Sequence, residues 1–179
     1  SGIKTLELNV KNDKVETVKV NMGTPILLPK DVPVVSDKDK VVDEPIVIDD
    51  KEYRITCVSM GNPHAITFIE NTDDLEIETI GPKFENNPIF PDRVNTEFIQ
   101  VLDRNTVKMR VWERGSGETF ACGTGACATV VACVLNGLTD DKVTVKLLGG
   151  DLFIEYNREE NTVYMTGPAK VSFTGKIEV

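Results

Sequence analysis

The sequence is short of positive charge and of long apolar runs, and each shortage excludes a class of protein. Its 179 residues include 20 Lys and Arg against 29 Asp and Glu, which gives a net charge of −9. Nucleic acids and anionic membrane surfaces attract basic side chains, so we expect neither as a partner. No apolar run reaches the roughly 18 residues that a membrane-spanning helix needs. The composition predicts a globular protein of one domain or two small ones.

Residues that bind transition metals are also few. The chain has one histidine and the four cysteines Cys57, Cys122, Cys127 and Cys133, none of which forms a Cys-x-x-Cys pair. Zinc sites usually need such pairs or several histidines, so the sequence predicts no metal site. The chain opens with no secretion signal pattern, and we therefore expect reduced thiols and a cytoplasmic location.

Short alternating segments separated by turn residues predict a protein made mainly of strands. Hairpins are expected from 3–10 with 15–20, from 46–48 with 53–60 and from 94–102 with 106–112, and single strands at 65–70, 143–147, 151–156, 162–166 and 171–179. Residues 126–136 are apolar nearly all round and predict one buried helix, while Thr72 and Asp73 favour a short helix over 73–80. The predicted fold is α+β, an antiparallel sheet wrapped around a central buried helix.

Cys122 stands where the predicted buried helix begins, directly before the small residues Gly-Thr-Gly-Ala of 123–126. Unpaired N–H groups at a helix start favour negative charge, so we expect this thiol to have a pKa below the usual value of about 8.5. The glycines allow another group to approach the backbone closely. Simple burial is the alternative for a free cysteine, and it is our interpretation of Cys57, Cys127 and Cys133.

Polar side chains at strand ends are candidates for the same site. Asn62 and His64 lie between two predicted strands, Asn95 begins another, and Glu113 and Arg114 follow the strand over 106–112. Asparagine supplies a donor and an acceptor, histidine titrates near neutral pH, and the arginine fork suits a carboxylate. Each also has an ordinary structural alternative, as a turn residue, a core histidine or a solvated charge.

Five motifs, in this order, resemble those of the diaminopimelate epimerases. They are Met60-Gly-Asn-Pro-His64, Pro91-Asp-Arg-Val-Asn95, Glu113-Arg-Gly-Ser-Gly-Glu-Thr119, Ala121-Cys-Gly-Thr-Gly-Ala126 and Tyr164-Met-Thr-Gly167. The resemblance covers nearly the whole chain. It implies a cofactor-independent isomerase of lysine and peptidoglycan biosynthesis that interconverts LL- and meso-diaminopimelate. In such enzymes a thiolate removes the α-proton from one face and a thiol returns a proton from the other.

The resemblance also assigns roles to residues. Cys122 would be one of the two catalytic cysteines, with His64 and Glu113 supporting catalysis. The backbone N–H groups of Gly123 and Thr124 would face the α-carboxylate, where charge builds as the carbanion forms. Substrate-binding residues by this resemblance are Asn62, Asn95, Glu113, Arg114, Gly123 and Thr124, of which Asn62, Asn95 and Arg114 would hold the distal amino-acid end.

The family has two similar halves with one catalytic cysteine each, and this chain has one matching turn. The resemblance therefore implies that residues 1–24 are the last hairpin of an absent amino-terminal half. Residues 25–167 would be the carboxy-terminal domain, and 168–179 a strand that crosses back. The parent protein is expected to be a homodimer, and this chain alone is expected to be inactive. Alternatives are a proline-racemase-like or phenazine-type isomerase and a non-catalytic ligand-binding fragment.

Overall fold

The computed structural model describes residues 3–177, and within this range eleven strands form one sheet around a buried helix. The helices are α1, Ile77–Glu85, and α2, Gly123–Leu135, and a 3-10 turn spans Pro29–Asp31. The strands are β1 Leu6–Lys11, β2 Lys14–Gly23, β3 Glu44–Ile48, β4 Lys51–Ser59, β5 Pro63–Phe68, β6 Asn95–Asp103, β7 Thr106–Glu113, β8 Gly117–Thr119, β9 Lys142–Leu147, β10 Gly150–Asn157 and β11 Thr162–Pro168.

The sheet order is β1-β2-β11-β10-β9-β7-β6-β5-β4-β3, and the short β8 pairs with β7 beside this path. Neighbouring strands are antiparallel except for β5 with β6 and β7 with β9, which are parallel. Parallel neighbours need a long crossover, and these two crossovers contain α1 and α2 respectively. The predicted α+β class is confirmed, but the sheet is mixed rather than wholly antiparallel.

Helix α2 is the centre of the larger core. Its residues are buried from Gly125 to Cys133, and it contacts β4, β5, β6, β9, β10 and β11. Gly137, with φ +70°, ends the helix, and Leu138 N–H donates to Cys133 O at 2.9 Å. That bond is the Schellman pattern expected of a glycine directly after a helix. The predicted buried helix over 126–136 is therefore confirmed, with a start three residues earlier.

Helix α1 begins four residues later than the predicted 73–80 and overlaps that segment over 77–80. Thr72 and Asp73 were interpreted as cap signals, but they belong to the preceding turn, in which Asp73 N–H donates to Asn71 Oδ1 at 3.0 Å. The helix begins at Ile77 and covers the face of the sheet opposite α2. Phe84 packs edge-on against Tyr53 and Phe98, with ring centroids 5.3 and 5.4 Å away.

The two helices divide the core into two clusters because neighbouring residues of a strand point to opposite faces. Val58 of β4 and Ile66 of β5 belong to the α2 cluster, whereas Cys57 and Ala65 belong to the α1 cluster. The predicted structural role of the three other cysteines is consistent with their burial: Cys57, Cys127 and Cys133 are free, buried thiols whose pKa burial raises.

The predicted terminal hairpin is present, but the predicted last strand is not. β1 and β2 pair antiparallel, and β2 continues into the main sheet through β11. Residues 169–177 have no regular secondary structure, so the strand predicted over 171–179 is wrong for 171–177. Residues 1–2 and 178–179 of the predicted terminal segments lie outside the described residues. No helix within 3–177 is long and apolar enough to cross a membrane.

Candidate functional site

Four segments with predicted site residues meet at one edge of the sheet, the one formed by the starts of β5 and β6 rather than by an outermost strand. The parallel pairing of β5 and β6 sets His64 beside Asn95, so both strands begin at the same edge. β7 runs antiparallel to β6 and ends there, which brings Glu113 to the start of β6. Helix α2 also starts at this edge, with Cys122 directly before it. Topology therefore joins residues that are far apart in sequence.

Cys122 is the N-cap residue of α2. Its backbone is extended, with φ −132° and ψ 105°, and its sulfur accepts the N–H of Gly125 at 3.3 Å. The hydroxyl of Thr124 lies 3.6 Å from the same sulfur. The side chain is buried, with 6% of its surface exposed. The predicted position of this thiol at a helix start is confirmed.

The predicted ease of ionisation is wrong. Burial raises the pKa of the Cys122 thiol to about 12, and the negative charge of Glu97 adds to this effect. The hydrogen bonds from Thr124 and Gly125 favour the thiolate but are outweighed. Burying the thiolate costs more free energy than the helix start contributes, and the nearby carboxylate adds to that cost. At neutral pH Cys122 is therefore a thiol.

His64 lies in the same buried pocket. Its Nδ1 is 2.6 Å from Glu97 Oε1, and both side chains are 0% exposed. Its Nε2 is 3.1 Å from Asn62 Oδ1. One ligand-type atom from each of His64, Glu97 and Cys122 lies within 4.8 Å of the others. The structure thus brings the only histidine and the helix-start cysteine together.

Glu97 is the residue that sequence reasoning missed. It lies on β6 two residues after Asn95 and on the same face, among side chains that pack around α2. A signal existed, because a carboxylate on the buried face of an apolar strand requires a partner. That partner is 33 residues away in sequence. The pairing of β5 with β6 was needed to find it.

Asn95 connects two of the converging segments. Its Nδ2 donates to Pro63 O at 2.7 Å, and its Oδ1 accepts the N–H of Arg114 at 2.9 Å. Arg114 also donates from Nη1 to Asp92 O at 2.7 Å. Asn95 therefore fixes the backbone at Pro63 and Arg114, which leaves one amide hydrogen for a ligand. Its predicted contact with a substrate stays a prediction, as do those of Asn62 and Arg114.

Glu113 is half-buried and accepts a hydrogen bond from the Thr119 hydroxyl of β8. Its charge is close enough to raise the pKa of Cys122 further, although less than burial and Glu97 do. The supporting role in catalysis that the resemblance implies for Glu113 stays a prediction. The short β8 pairs antiparallel with the end of β7, and Cys122 follows β8 by three residues.

The first turn of α2 presents backbone donors. Within residues 3–177, the N–H groups of Gly123 and Thr124 have no hydrogen-bond partner. Free N–H groups at a helix start form a natural anion site. A Cβ at Gly123 would lie 3.2 Å from the sulfur of Met165, so a larger residue would crowd β11. This arrangement could hold a carboxylate beside Cys122.

The trio of His64, Glu97 and Cys122 contains the atom types that bind zinc. Two nitrogen or oxygen ligands of a tetrahedral zinc ion, each about 2.0 Å from it, lie roughly 3.3 Å apart. His64 Nδ1 and Glu97 Oε1 are 2.6 Å apart, which is a direct hydrogen bond. This separation is shorter than that expected between two zinc ligands.

Three surface cavities lie away from these residues. One of about 810 Å³ is lined in part by Tyr53, Phe68 and Leu138, and two others of about 300 and 430 Å³ involve Lys83 and Tyr156. None of the three contains a predicted site residue.

Two sequence comparisons with known proteins agree on one family. A family model described as diaminopimelate epimerase matches residues 56–172. A diaminopimelate epimerase of Acetivibrio thermocellus is 59% identical over 179 residues, which are 100% of this chain and 64% of that protein. One from Methanococcus maripaludis is 57% identical over 179 residues, again 100% of this chain and 65% of the relative. The chain thus spans slightly less than two thirds of these relatives.

Solved structures share the fold. A hydroxyproline epimerase from Agrobacterium vitis matches with a TM-score of 0.65 at 12% identity, covering 92% of this chain and 56% of that one. A probable proline racemase from Agrobacterium radiobacter matches with a TM-score of 0.62 at 10% identity, covering 96% and 61%. At such identities the likeness concerns architecture alone.

Proposed function

Because this chain belongs to the diaminopimelate epimerase family, we propose that the protein containing it epimerises LL-diaminopimelate to the meso form without a cofactor. The observation that supports this most is the position of Cys122 at the start of α2, beside His64 and two free backbone N–H groups. The reaction belongs to lysine and peptidoglycan biosynthesis. We place it in the cytoplasm, where a reducing environment keeps thiols free.

The proposed reaction moves one proton on each face of the α-carbon. A thiolate on one face takes the α-proton, the C–H bond breaks, and its electron pair remains on carbon, stabilised through the α-carboxylate. A thiol on the other face then gives up its proton, a new C–H bond forms with inverted configuration, and that sulfur is left as a thiolate. Two sulfur groups are needed because one cannot reach both faces.

Cys122 fits the proton-returning member in the LL-to-meso direction. Its raised pKa, about 12, keeps it protonated before reaction. The thiolate partner must then come from the part of the relatives that this chain does not span. This is why the chain alone is proposed to be inactive and why the parent is proposed to contain a second catalytic cysteine.

The substrate is proposed to lie with its reacting carboxylate on Gly123 and Thr124. Fixed N–H dipoles there would stabilise the charge that develops in the transition state. Arg114 and Asn62 would bind the distal amino-acid end, since buried charged groups must be paired. Glu113 would either bind the substrate ammonium or tune the pKa of the catalytic thiols. A homodimeric parent is also proposed.

The test uses a chimera in which this chain replaces the matching 64% of the Acetivibrio thermocellus relative. We expect the chimera to invert LL-diaminopimelate and to incorporate solvent deuterium at the α-carbon, while the 179-residue chain alone does neither. Cys122→Ala should lower the rate by roughly 10²-fold or more, as loss of an acid–base group does. Cys133→Ala, in the core of α2, is the matched control and should retain activity.

Several outcomes would contradict the proposal. Turnover by the chain alone would remove the requirement for a second cysteine, and an active Cys122→Ala chimera would remove Cys122. Inversion of proline in place of diaminopimelate would favour the proline-racemase-like alternative. A correctly folded chimera that binds diaminopimelate without exchanging its α-proton would favour the non-catalytic alternative.

A further inference from the structure

We propose that Glu97 is a positioning residue of this site, which holds the Nδ1 proton of His64 and thereby confines proton exchange by this histidine to Nε2. The chemistry that this arrangement serves rests on the proposed function. The arrangement itself rests on the geometry of β5, β6 and α2, and it can be measured without any turnover.

The contact is short, buried and set by the sheet. Nδ1 of His64 and Oε1 of Glu97 are 2.6 Å apart, and neither side chain is exposed. Within residues 3–177 no Lys or Arg pairs with Glu97, and its Oε2 has no hydrogen-bond partner. The charge of Glu97 also acts on the thiols of Cys57 and Cys122, neither of which is cationic. Among the described residues, His64 is therefore the side chain that hydrogen-bonds this carboxylate.

The two nitrogens of His64 have partners of different kinds. A carboxylate oxygen accepts hydrogen bonds, and the proposal therefore assigns the proton of the contact with Glu97 Oε1 to Nδ1. Asn62, next to Nε2 at 3.1 Å, has an amide that either accepts or donates when it is turned over. Asn62 therefore suits both the neutral imidazole and the imidazolium. His64 can gain or lose a proton at Nε2 without breaking its bond to Glu97.

Gly125 ties this carboxylate to the cysteine motif. A Cβ at position 125 would lie 2.5 Å from Glu97 Oε1 and 3.1 Å from the Cys122 sulfur. Only glycine lets the helix start approach both groups. The second glycine of the Cys-Gly-Thr-Gly-Ala turn is therefore required by Glu97, a residue outside the motif, because a side chain at position 125 would collide with its carboxylate.

The sole histidine of the chain makes a direct experiment possible. Labelling the 179-residue chain with 15N-histidine gives the signals of one imidazole, whose nitrogen shifts report which nitrogen carries the proton. We expect Nδ1 to carry a proton in the folded chain at neutral pH, because it faces Glu97 Oε1 at 2.6 Å. An unprotonated Nδ1 in this unmutated chain would overturn the proposal, whatever any variant does.

Two variants disturb the contact from opposite sides. Glu97→Gln replaces the obligate acceptor with an amide that can also donate, so a second tautomer should become populated. Gly125→Ala should displace the carboxylate with a methyl group and shift the same signals. The matched control is Glu85→Gln, a buried carboxylate that bonds Trp112 at 2.7 Å on the α1 side, and it should leave the imidazole signals unchanged. Identical spectra for Glu97→Gln and the unmutated chain would contradict the proposal.

The chimera separates this proposal from the proposed function. There Glu97→Gln should lower kcat about tenfold or more with a smaller change in KM, and alter the pH profile, because tautomer control matters in acid–base catalysis. Glu97→Asp, which keeps the charge, should restore part of the rate. An inactive chimera with the expected imidazole signals would refute the function alone. An active chimera indifferent to Glu97→Gln would refute the role of Glu97 alone.

Discussion

At the residue scale, the behaviour of Cys122 depends on two opposing contributions. The helix start and two hydrogen bonds favour the thiolate, whereas burial and Glu97 favour the thiol and prevail. Sequence shows the first contribution, since Gly123 and Gly125 mark a helix start. It does not show the second, which depends on how much water the fold removes and on a carboxylate from β6.

This balance predicts how Cys122 reacts with iodoacetamide. Since only the thiolate reacts, and burial raises the pKa to about 12, the labelling rate should climb about tenfold per pH unit from pH 7 to 10 without a plateau. An ordinary cysteine levels off above its pKa of about 8.5. Rates followed by mass spectrometry of the modified peptide give the profile. A plateau below pH 8 would restore the original expectation of an activated thiolate.

Cys133 and the variant Glu97→Gln provide the controls for that measurement. Cys133 has a similar pKa, raised to about 12 by burial, but none of its surface is exposed, so it should remain unmodified while the chain is folded. Glu97→Gln removes a negative charge near the sulfur. It should therefore lower the pKa of Cys122 and speed labelling at any fixed pH below 10.

The site residues differ in how far sequence could predict them. Cys122, Asn95 and Glu113 sit at ends of strongly patterned elements, where polar residues are visible against an apolar background. Their convergence follows from the parallel pairing of β5 with β6, a non-local contact that local patterns do not encode. Glu97 required that pairing, and so it became visible only in the fold.

At the element scale, the extent of α2 was predictable, whereas α1 was predicted with a start four residues too early. A long apolar segment that ends at Gly137 predicts a buried helix, and the Schellman hydrogen bonds of Gly137 and Leu138 close its end. Asn71 and Thr72 form a turn before α1 and do not cap it. Asn71 Oδ1 accepts the N–H of Asp73, and the Thr72 hydroxyl donates to Gln100 Oε1. The short β8 has no pattern of its own and exists because it pairs with β7.

Gly81 gives a test of packing inside α1. Alanine normally stabilises a helix by about 1 kcal/mol relative to glycine. Here a Cβ would lie 2.4 Å from Cδ2 of Trp112, whose indole is held by a bond to Glu85. Gly81→Ala should therefore lower the free energy of unfolding by about 1–3 kcal/mol, as overpacking does, in urea titrations.

A second glycine is the control for this prediction. A Cβ at Gly175 meets nothing within 4 Å, so Gly175→Ala should leave the free energy of unfolding nearly unchanged. Stabilisation by Gly81→Ala would show that Trp112 moves aside freely and that helix propensity outweighs the contact.

At the scale of the whole molecule, the two edges of the sheet differ in protection. The β3 edge is five residues long and contains Pro45, which lacks an N–H group. The β1 edge is exposed along its six residues. Leu6, Leu8 and Val10 lie on one of its faces and are 53%, 57% and 55% exposed. A long, exposed, apolar edge strand favours pairing with another chain.

We therefore predict that the 179-residue chain associates with itself through β1. Sedimentation velocity at increasing protein concentration should show species larger than the 19.8 kDa monomer. Leu8→Lys should reduce this association because a lysine on an edge strand disfavours pairing. Leu148→Lys adds the same charge in the turn between β9 and β10, at a residue that is 53% exposed against 57% for Leu8, and should not reduce it. Equal effects of both variants would indicate net charge rather than the edge, and a monomer at every concentration would refute the association.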